Sequence, residues 1–184
     1  MPHMAGQATG AMSLLTLGHG TLDEAALVAL LHGAGVQEVV DIRAFPGSRR
    51  HPHVGRDHLA GALPEAGVAY RWEPRLGGRR RGREDSPNLA LRNDSFRAYA
   101  DHMATDEFRA GLDDLVGDAT ATVVAAMCAE SVWWRCHRRL VADAAVLVRQ
   151  VPVRHLVHDG RLVPHAPTGG VRVDGDRLVY DVVP

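Results

Sequence analysis

The chain concentrates reactive side chains at one point. An apolar run from Thr122 to Met127 ends in Cys128-Ala129-Glu130, and the chain resumes as Cys136-His137-Arg138 after Ser131-Val132-Trp133-Trp134-Arg135. A thiol and a carboxylate at the end of a buried strand, followed by a thiol, an imidazole and a guanidinium where a helix begins, supply nucleophilic, acid–base and anion-binding groups together. Free N–H groups at a helix start favour anions and can lower a thiol pKa. Either cysteine alone would be an ordinary buried residue; the combination points to chemistry.

Three chemistries compete for this cluster. A cysteine phosphatase requires a single anion-cradling loop, but the spacing from Cys128 to Arg135 is one residue too long and two tryptophans fill the loop. A zinc site could draw on Cys128, Cys136 and His137, yet structural zinc ligands usually come in closer pairs. Adjacent residues on a helix also point in different directions, so no metal and no cofactor is expected. Glu130 as an acid, base or electrostatic partner in hydrolysis is the more natural reading.

Two further groups belong to the same argument. His19 follows a first strand, and Asp41 and Arg43 follow a second, so all three should reach the sheet edge that carries Cys128 and Glu130. Two irregular stretches, 43–56 and 75–83, are dense in arginine: Arg43-Ala44-Phe45-Pro46-Gly47-Ser48-Arg49-Arg50-His51 and Arg75-Leu76-Gly77-Gly78-Arg79-Arg80-Arg81-Gly82-Arg83. Arginine forks suit phosphates. Tyr70, Trp72, Trp133 and Trp134 lie near these stretches in sequence and could stack on a base drawn from its helix. The plainer alternatives are a turn histidine, a structural Asp41–Arg43 ion pair, solvated basic loops and core aromatics.

The elements that must hold these residues alternate. Leu14-Leu15-Thr16-Leu17 reads as a strand ending at Gly18-His19-Gly20, Thr21 caps a helix over 22–32, and 36–42 forms a second strand. That βαβ unit implies parallel pairing with a right-handed crossover. A short helix over 57–66 and a strand over 68–72 follow. Helices over 94–104 and 106–115, a strand over 122–127, a helix over 136–148 and a strand over 153–157 complete the core. Val171-Arg172-Val173 and Arg177-Leu178-Val179-Tyr180, joined through Asp174-Gly175, predict a hairpin. The pattern gives a three-layer α/β fold with a mainly parallel sheet. Residues 1–13 are expected to form a flexible tail, 14–165 one catalytic domain and 166–184 a hairpin extension.

Composition narrows the classes. The chain has 184 residues, 46% of them hydrophobic, which suits one domain with a full core. The net charge of −1 excludes a uniformly basic protein but not a local basic patch. All 21 cationic side chains are arginine, so neither a lysine Schiff base nor a phosphate-loop lysine is available. Two cysteines without a secretory leader fit a reduced, cytoplasmic protein. No apolar run approaches a membrane span, so no membrane partner is expected.

Read together, Thr16-Leu17-Gly18-His19-Gly20, Asp41-Ile42-Arg43-Ala44-Phe45-Pro46-Gly47-Ser48-Arg49, Leu76-Gly77-Gly78-Arg79, Phe96-Arg97-Ala98-Tyr99-Ala100 and Met127-Cys128-Ala129-Glu130 with Cys136-His137-Arg138 resemble, in order, the family known as domain of unknown function 488. The resemblance covers about 14–165. It implies an α/β domain and a shared site built from the Asp-x-Arg, Ser-Arg, Leu-Gly-Gly and Cys-x-Glu…Cys-His-Arg segments, with no settled activity. Gly20, where serine is common, and Trp133-Trp134 depart from the family pattern and suggest a preference particular to this member.

The residues lead us to expect an enzyme acting on a nucleic-acid base, most concretely a DNA glycosylase hydrolysing the N-glycosidic bond of a modified pyrimidine. Its arginine loops would hold DNA, and a carboxylate would stabilise the cationic sugar while another orients water. Asp41, Glu130, His19 and Cys128 are the expected catalytic residues. Arg43, Ser48, Arg49, Tyr70, Gly77, Gly78, Arg79, Trp133, Trp134, Cys136, His137 and Arg138 are the expected substrate contacts. Two other classes stay open: sulfur or acyl transfer on a small molecule through a nucleophilic Cys128, and a non-catalytic nucleic-acid-binding module. Oligomeric state is not legible.

Overall fold

The strands read from residues 14–157 come together in one mixed sheet, and the C-terminal hairpin forms a second sheet of two strands. The computed structural model describes residues 14–47 and 49–182, so the expected tail and Ser48 lie outside the described residues. The core elements are β1 (Leu14–Gly18), α1 (Glu24–Gly33), β2 (Glu38–Asp41), α2 (Arg56–Glu65), β3 (Ala69–Trp72), α3 (Asp94–Met103), α4 (Asp106–Ala121), β4 (Val124–Cys128), α5 (Arg138–Leu147), β5 (Val153–Leu156) and β6 (Leu162–Pro164). The strand order is β3-β2-β4-β1-β5-β6, parallel throughout except for β6, which runs antiparallel to β5. β6 was not expected; three residues at a sheet edge are too few for a periodic signal.

The period-2 alternation of β4 divides the core into two layers. Val124, Ala126 and Cys128 face α3, α4 and α5 together with Leu112, Leu140 and Val141. Ala125 and Met127 face α1 and α2 with Leu27, Leu31, Leu59 and Leu63. β4 therefore sends its following helix to one face, while its neighbours β1 and β2 send theirs to the other. Such a reversal opens a crevice beyond the carboxyl ends of the strands, and Cys128 stands at its centre.

Several boundaries moved for local reasons. α1 is capped by Asp23, whose side chain accepts from Ala26 N at 2.8 Å, rather than by Thr21. α4 runs on to Ala121 because Ala119 continues the buried stripe of Leu112 and Leu115 past the expected end. α5 begins only at Arg138, behind a 3-10 turn at Trp133–Arg135, so Cys136 and His137 precede the helix.

The hairpin β7 (Val171–Asp174) and β8 (Arg177–Tyr180) has Gly175 at φ 64° in its turn. It packs into the core rather than beside it: Leu178 and Tyr180 are buried. The Tyr180 hydroxyl donates to Asp143 Oδ2 at 2.9 Å. His165 Nε2 lies 2.8 Å from the other carboxylate oxygen, His155 Nε2 and His165 Nδ1 are hydrogen-bonded at 2.9 Å, and His155 Nδ1 and the Thr16 hydroxyl at 2.6 Å. This satisfied polar chain ties β1, β5, α5 and β8 together.

Candidate functional site

Beyond the ends of β2 and β4 lies a cleft of about 320 Å³ lined by Arg43, Ala44, Phe45, Gly47, Gly78, Arg79, Cys128, Ala129 and His137. Three glycines permit the close approach that forms it. A Cβ on Gly18 would lie 1.8 Å from the Glu130 carbonyl oxygen, so the end of β1 can carry only hydrogen against the loop after β4. A Cβ on Gly77 would sit 2.8 Å from Ala44 Cα, and one on Gly78 2.9 Å from His137 Nδ1. The Leu-Gly-Gly segment thus brings one arginine loop against both the other loop and the imidazole.

His19, Asp41 and Arg43 do converge, as a buried relay. Arg43 donates to both Asp41 oxygens, at 2.8 and 2.6 Å, to the Val54 carbonyl at 2.8 Å and to His19 Nε2 at 3.1 Å. Tyr70 donates to Asp41 Oδ2 at 2.6 Å, and the Arg43 amide to Oδ1 at 3.1 Å. Asp41 is completely buried and both its oxygens are engaged, so it acts on the cleft through Arg43 rather than directly. Burial pushes the His19 pKa down, and the Arg43 charge pushes it further, leaving a neutral ring that accepts from Arg43. Burial and then the Asp41 charge raise the Tyr70 hydroxyl above its ordinary value.

The sulfur side of the cleft is organised by His137. Its Nε2–H donates to the Ile42 carbonyl at 3.1 Å, which turns Nδ1 toward the sulfurs of Cys128, at 3.8 Å, and Cys136, at 3.7 Å. Cys128 is held well below the ordinary thiol pKa, first because Cys136 donates to it, with burial opposing and His137 assisting. Cys136 is correspondingly pushed up, retaining the proton it shares. Only Cys128 of the two lines the cleft.

Other expected site residues lie elsewhere. Glu130 is exposed and its carboxylate accepts from Val132 N at 3.0 Å, capping the turn outside the cleft lining. Arg138 is 1% exposed and clamps that turn, donating to the carbonyls of Glu130 and Ser131. Trp133 stacks on His155 at 4.0 Å and 7°, covering the polar chain below. Trp134 is 55% exposed against Trp133 and is not among the residues that line the cleft. Trp72 donates to the Arg43 carbonyl and carries the Arg56 guanidinium on its ring.

The arginines divide into two populations. Arg71 and Arg75 are committed to Glu73, Asp114 and Asp118, and Arg83 to Asp85. Arg49, Arg50 and Arg81 are exposed without a carboxylate partner among the described residues. Arg79 is likewise free of ion pairs there, adopts φ 58° and stands 6.0 Å from the ring centre of Phe45. Phe45 is 72% exposed at the cleft wall and was not singled out from sequence; hydrophobicity alone marks a loop phenylalanine as core.

A family model, domain of unknown function DUF488, matches residues 24–145. The chain belongs to this family. The matched span holds the Asp41–Arg43 pair, the Gly77-Gly78 loop and all three residues of the Cys128–Cys136–His137 cluster, whereas His19 and the C-terminal hairpin lie outside it. No curated protein and no solved structure matches the chain. Among the described residues, no helix is long and apolar enough to cross a membrane.

Proposed function

We propose that this DUF488 protein is a hydrolytic enzyme acting on a base carried by a nucleic-acid strand, most concretely a DNA glycosylase that cleaves the N-glycosidic bond of a modified pyrimidine. The observation that carries the reading is the cleft's surround: Arg49, Arg50, Arg79 and Arg81, uncommitted among the described residues, on the two loops whose Phe45, Gly47, Gly78 and Arg79 form its walls. Arginines held by no carboxylate are available to phosphates. The exposed Phe45 offers a stacking face, and a cleft near the small end of ligand pockets suits one heterocycle with its sugar. The roles shift from those expected: Asp41 positions Arg43, Glu130 shapes a turn, and the groups on the cleft floor are Cys128 and His137.

The test is to incubate the protein with DNA carrying assorted modified bases and to identify released bases by mass spectrometry. Release of a free base is expected. Arg79→Ala and Arg81→Ala should each weaken DNA binding across sequences and reduce the slope of log affinity against log salt by about one. Absence of salt-dependent affinity for both single- and double-stranded DNA would sink the reading. Because Cys128 faces the cleft, a second reading is sulfur or acyl transfer with Cys128 as nucleophile. It requires turnover of a small thiol- or acyl-donating substrate that stops on alkylation of Cys128.

A further inference from the structure

We propose that Cys128, Cys136 and His137 form a zinc site whose fourth coordination position opens into the cleft. Spacing in the sequence argued against this, because neighbours on a helix diverge; the backbone removes that objection. Cys136 is extended, at φ −119° and ψ 149°, and the helical turn starts only at His137, at φ −59° and ψ −21°, so the two side chains are not successive positions inside a helix. Their ligand atoms and the Cys128 sulfur all lie within 4.8 Å of one another.

The distances fit one ion. Two sulfurs and a nitrogen held tetrahedrally at ordinary zinc bond lengths lie about 3.5–3.8 Å apart. Here Nδ1 lies 3.8 Å from one sulfur and 3.7 Å from the other. The Nδ1–sulfur spacings need to shorten by only a few tenths of an ångström, and the two sulfurs, within 4.8 Å of each other, by up to about 1 Å, to share one centre.

The surroundings fit as well. A ligating histidine usually gives its other N–H to a carbonyl or carboxylate, which fixes the tautomer, and His137 Nε2 gives its hydrogen to Ile42 at 3.1 Å. Both cysteines are free and buried. Two thiolates and an imidazole are soft and borderline donors that select zinc over magnesium or calcium. Three protein ligands with one open position is the pattern of catalytic rather than structural zinc.

Cys128 and His137 both line the cleft, so the vacant direction faces it. Gly78 guards the same space, since a Cβ there would reach 2.9 Å from Nδ1. The site stands irrespective of the substrate. Under the hydrolytic reading it would supply a way of activating water, and it makes Cys128 a ligand instead of a nucleophile.

The test is metal content and cobalt substitution of the full-length protein. Elemental analysis after purification without chelators should give one equivalent of zinc per chain. Replacement by Co²⁺ should produce thiolate-to-cobalt charge-transfer absorption and the visible bands of tetrahedral cobalt. Cys136→Ser should lose both signals. Should that variant fail to fold, the unaltered protein decides: chelation should lower its melting temperature, added Zn²⁺ should restore it, and both thiols should become reactive only after chelation. Sub-stoichiometric metal with no cobalt spectrum, thiols equally reactive with and without chelator, or a different stoichiometric metal would overturn the assignment. None of these readouts uses DNA, so failure of the glycosylase reading would leave the zinc result standing, and the reverse.

Discussion

Asp41 and Glu130 show how differently two carboxylates behave when one is buried among donors and the other faces water. Asp41 is fully buried and neutralises Arg43, itself 7% exposed. Asp41→Asn would leave that guanidinium without its counter-charge, so a loss of about 3–5 kcal/mol is expected, read from the midpoint of urea unfolding. Glu130→Gln should stay within about 0.5 kcal/mol by the same measurement, because an amide oxygen can still accept from Val132 N on an exposed turn. Equal losses in the two variants would mean that the relay is misassigned. From sequence the two were equivalent candidates, each at a strand end. Only their surroundings separate them.

At the level of elements, the glycines mark where backbone must meet backbone and where it need not. Gly18 ends β1 directly against the loop that follows β4, and Gly18→Ala should cost roughly 1–3 kcal/mol or more through overpacking. Gly117 lies in α4, exposed and with nothing within 4 Å of a built Cβ. Gly117→Ala should therefore stabilise by about 0.5–1 kcal/mol through helix propensity alone. Thermal melts of the two variants would check the pair of opposite signs; a stabilising Gly18→Ala would refute the close packing. The helices and parallel strands themselves were legible because apolar period and capping residues are local signals. β6 and the delayed start of α5 were not, since an edge pairing and a 3-10 turn are set by what lies alongside.

Over the whole molecule, the chain from Thr16 through His155 and His165 to Asp143 and Tyr180 joins the sheet, α5 and the hairpin. Burial first, then the charges of His165 and Arg138, depress the His155 pKa from 6.5 to about 3. Between those values the unfolded chain binds a proton that the folded one refuses. Stability is thus full above pH 6.5 and falls as the pH drops toward 3, by on the order of a few kcal/mol. Burial depresses His19 and His102 as well, so their contributions have the same sign. Urea unfolding across this range checks the slope, and His155→Asn should flatten it. A slope unchanged in that variant would place the acid sensitivity elsewhere. The hairpin, expected as an addition to the core, supplies Tyr180 to this chain and so belongs to the same cooperative unit.

The amino-acid order alone determined the α/β class, the edge of the sheet on which Cys128, His19 and Asp41 gather, and the family, because periodicity, punctuation and motif order are written within short windows. Tertiary structure decided which polar groups remain available. It consumed Asp41 in a relay, turned Glu130 to solvent, buried Arg138 under a turn, left four loop arginines without carboxylates among the described residues and drew two sulfurs and an imidazole together. Availability depends on partners distant along the chain, and no local pattern records which donor will reach which acceptor once the layers close.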